Sequence, residues 1–142
     1  MTKKTENDVP AHLKQQAKLA STRAYAPFSN FPVGAALELT NGEIITGCNV
    51  ENSSYGLSNC AERTAIFTAI AQGYKGSDIR SVTIYIPGSE AVAPCGACRQ
   101  VLAEFLASDT PVFSTSDGQE RQWSIGELLP DAFSFNLETH RN

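Results

Sequence analysis

Two short cysteine clusters constrain this chain more than any other feature: Cys60-Ala61-Glu62-Arg63, and downstream Pro94-Cys95-Gly96-Ala97-Cys98. A fold in which both serve one centre must bring two distant segments face to face. Together they can supply three thiolates to a single metal ion. Structural zinc sites usually close the shell with four protein ligands, whereas catalytic ones keep a position for water. Three thiolates, with the carboxylate of Glu62 close by but not counted as a ligand, fit an open site holding one zinc ion per chain and activating water. Other readings of the four cysteines remain at this level. They could form two disulfides, or Cys95 and Cys98 could be a thioredoxin-like redox pair, which leaves Cys60 and Glu62 without a role. A non-catalytic zinc-binding module would need a fourth ligand. Cys48, His12 and His140 are the soft candidates, and neither histidine has ligand spacing to anything.

At 142 residues the chain reads as one domain, 1–142, with residues 1–10 a polar arm carrying both charge signs. Its 42% hydrophobic content suffices for one good core. No run is long enough to cross a bilayer and the arm does not resemble a secretory signal, so a cytoplasmic location is expected, with no membrane partner. In that compartment cysteines favour metal or catalytic work over disulfides. The net charge is -4, and the 11 Lys and Arg are spread thinly. No basic stripe is present to neutralise phosphates, which argues against a nucleic-acid partner and suits an uncharged small molecule.

Along the chain, Ala11 to Ala24 predicts a helix with Leu13, Ala17 and Ala20 as its apolar stripe, ended by Pro27. Val33 to Thr40 and Glu43 to Val50 read as strands. Asn41-Gly42 between them signals a type I′ hairpin turn, both central positions at positive φ. If the second strand continues, Asn49 and Glu51 share one face, and Cys48, read as a packing cysteine, shares the other with Val50. Taken alone, Asn49 and Glu51 read better as a solvated strand end. Ser58 or Asn59 can cap a helix from Cys60 to Gln72, stopped by Gly73 and apolar nearly all round, as for a buried helix. Ser81 to Ile86 is a central strand, Cys95 to Leu106 a helix, and Val112 to Thr115 a strand. Asp117-Gly118 is a second hairpin signal before Arg121 to Ser124, and Ile125 to Leu129 is a short helix closed by Pro130. The order α-ββ-α-β-α-ββ gives an α/β fold: a mixed five-stranded sheet with helices on its faces and a parallel β-α-β step in the middle.

Cys60 and Cys95 fall at helix starts, where unpaired N–H groups and the positive dipole end favour thiolates, and Cys98 lies one turn after Cys95 on the same face. Three thiolates on Zn2+ sum to a net charge of about -1. Arg63 is the candidate to withdraw that charge by donating to sulfur, unless it is a surface residue. Glu62 is the candidate general acid-base, its pKa raised by an apolar wall; without the downstream cysteines it would read as an ordinary helix-start glutamate.

These residues resemble the cytidine deaminase family, in its small homotetrameric form with a three-layer α/β/α fold. The likeness runs from about Tyr25 to Phe133. It rests on Tyr25-Ala26-Pro27-Phe28-Ser29-Asn30-Phe31-Pro32-Val33-Gly34, Gly47-Cys48-Asn49-Val50-Glu51-Asn52, both cysteine clusters, and Leu128-Leu129-Pro130-Asp131-Ala132-Phe133. Cysteine at 60, where polynucleotide and deoxycytidylate enzymes usually carry histidine, points to free nucleosides. The resemblance implies hydrolytic deamination of cytidine and deoxycytidine to uridine and deoxyuridine, with release of ammonia. Cys60, Cys95 and Cys98 would ligate zinc, and Glu62 would move protons to N3 and then to the departing amine. Asn49 and Glu51 would bind the ribose hydroxyls, and Phe31 and Ala61 would line the pocket. Tyr55 and Phe133 would complete a neighbouring subunit's site, with Phe133 stacking on the base. A blasticidin-type deaminase shares the cysteine pattern and the size, although the Asn49-x-Glu51 pair favours a ribonucleoside.

Overall fold

The computed structural model describes residues 9–140, so the reading of residues 1–10 as an arm falls almost wholly outside them. The elements are α1 (Ala11–Ser21), β1 (Gly34–Leu39), β2 (Ile44–Cys48), α2 (Ala61–Ala71), β3 (Ile79–Tyr85), α3 (Gly96–Phe105), β4 (Pro111–Thr115), β5 (Glu120–Ser124), α4 (Ile125–Leu128) and α5 (Leu137–His140). The strands form one five-stranded sheet in the order β2-β1-β3-β4-β5. Only β3 and β4 run parallel, joined through α3, and the other neighbours are antiparallel. Alternation along the strands sorts two cores. Leu37, Val82, Ile84 and Val112 face α2 and α3 with Ala65, Ile66 and Leu102. Ala36 and Tyr85 face the other way, against Ala17 of α1. The result is the expected three-layer α/β/α arrangement.

Two glycines set how closely the helices lie on the β1–β2 hairpin. A Cβ at Gly34 would stand 1.8 Å from the Ala17 carbonyl oxygen of α1, and one at Gly47 would stand 2.4 Å from the Ala65 nitrogen of α2. Backbone meets backbone at both crossings, so neither neighbour can rotate away. Gly47→Ala is therefore expected to push α2 off the sheet and lower stability by about 1–3 kcal/mol, the usual range for overpacking. Urea denaturation measures this, and an unchanged midpoint would mean that α2 can step aside freely.

Several local expectations need correction. Helix α1 stops at Ser21 rather than Ala24, where the hydroxyls of Ser21 and Thr22 turn back onto the carbonyls of Lys18 and Leu19. The β1–β2 turn is not type I′: Gly42 alone has positive φ (+90°), and its N–H donates to the Leu39 carbonyl. This is a type I turn closed by a left-handed glycine, the three-residue hairpin form. The hairpin signalled by Asp117-Gly118 is realised as the antiparallel β4–β5 pair, though neither residue is at positive φ. There the Ser116 hydroxyl accepts the N–H groups of Gly118 and Gln119 and shapes the loop instead. Cys60 itself, not Ser58 or Asn59, is the N-cap of α2. On α2, Ala61, Ala65, Ile66 and Ala69 are buried as expected, but Phe67 (49% exposed) and Ile70 (37%) face outward. Helix α5 had no sequence signal.

Candidate metal centre and pocket

Cys60 and Cys95 are both N-cap residues with extended backbone, one step ahead of the first turns expected for them. They sit at the heads of α2 and α3, which lie on the same side of the sheet. The Sγ atoms of Cys60, Cys95 and Cys98 all lie within 4.8 Å of one another, and no other His, Cys, Asp or Glu among the described residues joins them. Cys60 Sγ and Cys95 Sγ are 3.8 Å apart. That is the edge of a tetrahedron built on Zn–S bonds of about 2.3 Å, about 3.8 Å. The donor set fits zinc with one position left over. All four cysteines are free thiols, so the disulfide reading is not realised. Cys48 stays apart, partly buried, its thiol pKa raised by desolvation.

The surroundings prepare the sulfurs for charge. The Arg63 guanidinium donates to Cys60 Sγ at 3.2 Å, and the Cys98 N–H donates to Cys95 Sγ at 3.4 Å. Hydrogen bonding from Cys98 and from Arg63 draws the Cys60 thiol down to about 5. The Cys98 thiol, tied to the ionised Cys60 and desolvated, keeps its proton in the metal-free chain and would release it on binding a metal. Arg63 is half-buried with its charged end on sulfur rather than in solvent.

Glu62 is the buried carboxyl of the site, 5% exposed. Desolvation, with the nearby Cys60 charge adding to it, pushes its pKa up to about 7. It lines a cavity of about 440 Å³ together with Cys60, Ala61 and Cys95. The walls are apolar, with Phe31, Val33, Ile84, Ile86 and Val92 among them, and Ser29, Asn49 and Glu51 add polar groups to the lining. The parity expected for the segment after β2 holds, since Asn49 and Glu51 line this cavity and Cys48 and Val50 do not.

Both polar residues are engaged with the loop that crosses them. Asn49 Oδ1 accepts the Val33 N–H (2.8 Å), and its Nδ2 donates to the Phe31 carbonyl (3.0 Å). Glu51 Oε1 accepts the N–H groups of Phe28 (2.9 Å) and Ser29 (3.1 Å), while Ser29 Oγ donates to Oε2. These bonds hold the Glu51 pKa below the ordinary carboxylate range. Of the other residues singled out in the sequence, Tyr55 lines a smaller adjoining cavity with Phe28, Ser29, Glu51 and Ser58. Phe133 is not brought to the cavity and is 70% exposed. Sequence reasoning missed Ser29, whose signal was a hydroxyl inside the Pro27-to-Asn30 turn. It also missed Arg99, which donates to the carbonyls of Pro94 and Leu128 and so braces the second cysteine loop.

Three thiols able to hold one metal ion, beside a buried carboxyl that lines the same cavity, define a metal-dependent hydrolytic centre. Residues 9–114 match the family described as the cytidine and deoxycytidylate deaminase zinc-binding region. The chain is 45% identical over 120 residues to the cytidine deaminase of Sporosarcina psychrophila, covering 84% of this chain and 87% of that one. The crystal structure of cytidine deaminase from Burkholderia pseudomallei superposes with a TM-score of 0.85 at 48% identity, covering 89% of this chain and all (100%) of that one. The Mycobacterium tuberculosis cytidine deaminase structure gives 0.74 at 38% identity over 90% of this chain and 100% of that one. This chain belongs to the cytidine deaminase family.

Proposed function

We propose that this chain hydrolyses cytidine and deoxycytidine to uridine and deoxyuridine, releasing ammonia, as a single cytoplasmic catalytic domain assembled into a homotetramer. The observation that carries this is the cavity itself. It is lined by two of the three clustered thiols, Cys60 and Cys95, by the buried carboxyl of Glu62, by Asn49 and Glu51, and by an apolar wall. That combination suits a flat base with a sugar attached. Among the described residues no Lys or Arg lines the cavity, which suits an uncharged nucleoside. When bound by Cys60, Cys95 and Cys98, zinc supplies the Lewis acidity that makes water a usable nucleophile near neutral pH. Glu62 takes a proton and delivers it to N3 of the base, then a second to the leaving amine, a task suited to a carboxyl whose pKa lies near 7. Phe31, Ala61 and the aliphatic wall hold the base, and Asn49 and Glu51 accept or donate hydrogen bonds at the ribose hydroxyls. A loss of absorbance at the cytidine maximum on incubation with zinc-loaded protein is the direct test. Zinc-loaded protein that leaves cytidine and deoxycytidine unchanged would overturn the proposal.

A structural zinc module would complete the shell with a fourth protein ligand, and none stands there among the described residues. A blasticidin-type activity is not favoured by the relatives above.

The tetramer reading is supported by apolar side chains a monomer would leave in water: Tyr55 (74% exposed), Phe133 (70%), Phe67 (49%) and Ile70 (37%). Tyr55 and Phe133 would enter a neighbour's site, Phe133 stacking on the base. Phe133→Ala is then expected to weaken substrate use by roughly 1–3 kcal/mol while zinc stays bound. Co-expressing Glu62→Gln with Phe133→Ala chains should regenerate sites that hold an intact copy of each residue. Purified mixed oligomers no more active than the weighted sum of the parents would place Phe133 outside its neighbour's site.

A further inference from the structure

Ser29 is the residue through which the loop before β1 addresses Glu51. Its hydroxyl accepts the Phe31 N–H at 3.1 Å and donates to Glu51 Oε2, while its own N–H donates to Oε1 at 3.1 Å. The local backbone makes this possible. Asn30 is left-handed at φ +55°, and its N–H returns to the Ala26 carbonyl at 2.9 Å, so Phe31 N–H comes back onto Ser29 Oγ. Phe31 and Glu51 both line the cavity, and Ser29 stands between them on its wall.

A carboxylate on a half-exposed edge can rotate about its last torsion and sample several orientations. Three donors from two adjacent residues remove that freedom. Oε1 is occupied by two backbone N–H groups, and Oε2 takes one hydroxyl proton, leaving Oε2 lone-pair capacity for a further donor. The two backbone donors need no particular side chain, whereas the Oε2 bond depends on a hydroxyl at position 29.

We infer that Ser29 is a positioning residue for sugar recognition: by fixing Glu51 Oε2 toward the cavity and tying it to the Phe31 wall, it sets affinity for the nucleoside hydroxyls without touching the chemistry. This rests on the reading of Glu51 as a sugar-binding carboxylate. The experiment compares cytidine with 2′,3′-dideoxycytidine, which presents the same base without the ring hydroxyls, on zinc-loaded wild type, Ser29→Ala, Ser29→Thr and Glu51→Gln. For Ser29→Ala, KM for cytidine should rise roughly five- to tenfold, as for loss of one charge-assisted hydrogen bond. Its kcat, its zinc content and its KM for dideoxycytidine should stay within about twofold of wild type. Ser29→Thr, which keeps the hydroxyl, should recover most of the cytidine KM.

Two failures are distinguishable. If Glu51→Gln leaves the preference for cytidine over dideoxycytidine unchanged, Glu51 does not read the sugar and both readings fall. If Glu51→Gln removes that preference but Ser29→Ala leaves the cytidine KM unchanged, the positioning role is wrong. The same holds if Ser29→Ala shifts both substrates equally, or if Ser29→Thr fails to rescue.

Discussion

Glu62→Gln is expected to fold, to retain one zinc per chain and to bind cytidine, yet to lose turnover by at least about 10²–10⁴-fold. The substitution keeps the shape and the hydrogen-bonding reach of the side chain and removes only its ability to exchange a proton. Glu62 is buried at the head of α2 and stands outside the thiol cluster, so its loss should leave the metal in place. One residue is asked to move more than one proton in a cycle, which sets the expected loss toward the upper end of that range or beyond it. Steady-state kinetics with metal analysis on the same preparation provide the test. A variant keeping more than about a tenth of wild-type turnover would remove Glu62 from proton transfer.

The second large effect concerns the metal. Cys95→Ala should reduce zinc from close to one equivalent to a small fraction of that, because among the described residues only three protein donors converge on the centre. Binding confined to the folded state raises stability by mass action, so wild-type protein should melt at a lower temperature after chelation, and Cys95→Ala should not respond to the chelator. Cys48→Ala is the control. Its thiol is partly buried and stands apart from the cluster, so metal content and chelator response should match wild type. Fully active wild-type protein free of zinc and every other transition metal would refute the metal assignment.

Much of the layout was legible in the sequence because hydrophobic period and motif spacing both act locally. The continuous β-branched run from Ser81 to Ile86 marks a central strand, and the x-x spacing of Cys95 and Cys98 marks one helical face. What escaped depends on partners distant in sequence. The β1–β2 turn is a local exception: Asn41-Gly42 suits a type I′ turn and a type I turn closed by glycine alike, and Gly42 alone takes positive φ. Gly34 and Gly47 look like ordinary small residues until α1 and α2 are laid across them. The exposed faces of Phe67 and Ile70 could not be told from buried ones, since an apolar residue reads the same on either side of α2. At the site, the cysteines and Glu62 announced themselves through spacing. Ser29 did not, because its meaning comes from a carboxylate 22 residues away.

Placing a thiol ligand at position 60 and the carboxyl at position 62 on the head of one helix has a consequence for how such a chain can diversify. Two neighbours on one rigid turn cannot drift apart, and Gly47 holds that helix against the sheet, so chemistry and metal move as one body. Other parts of the cavity wall come from loops, including Ser29 and Phe31. Mutation there reshapes what the cavity accepts while leaving the proton path untouched. An architecture that separates a rigidly held engine from an adjustable mouth lets substrate range change in small steps, each of which still passes through a working catalyst.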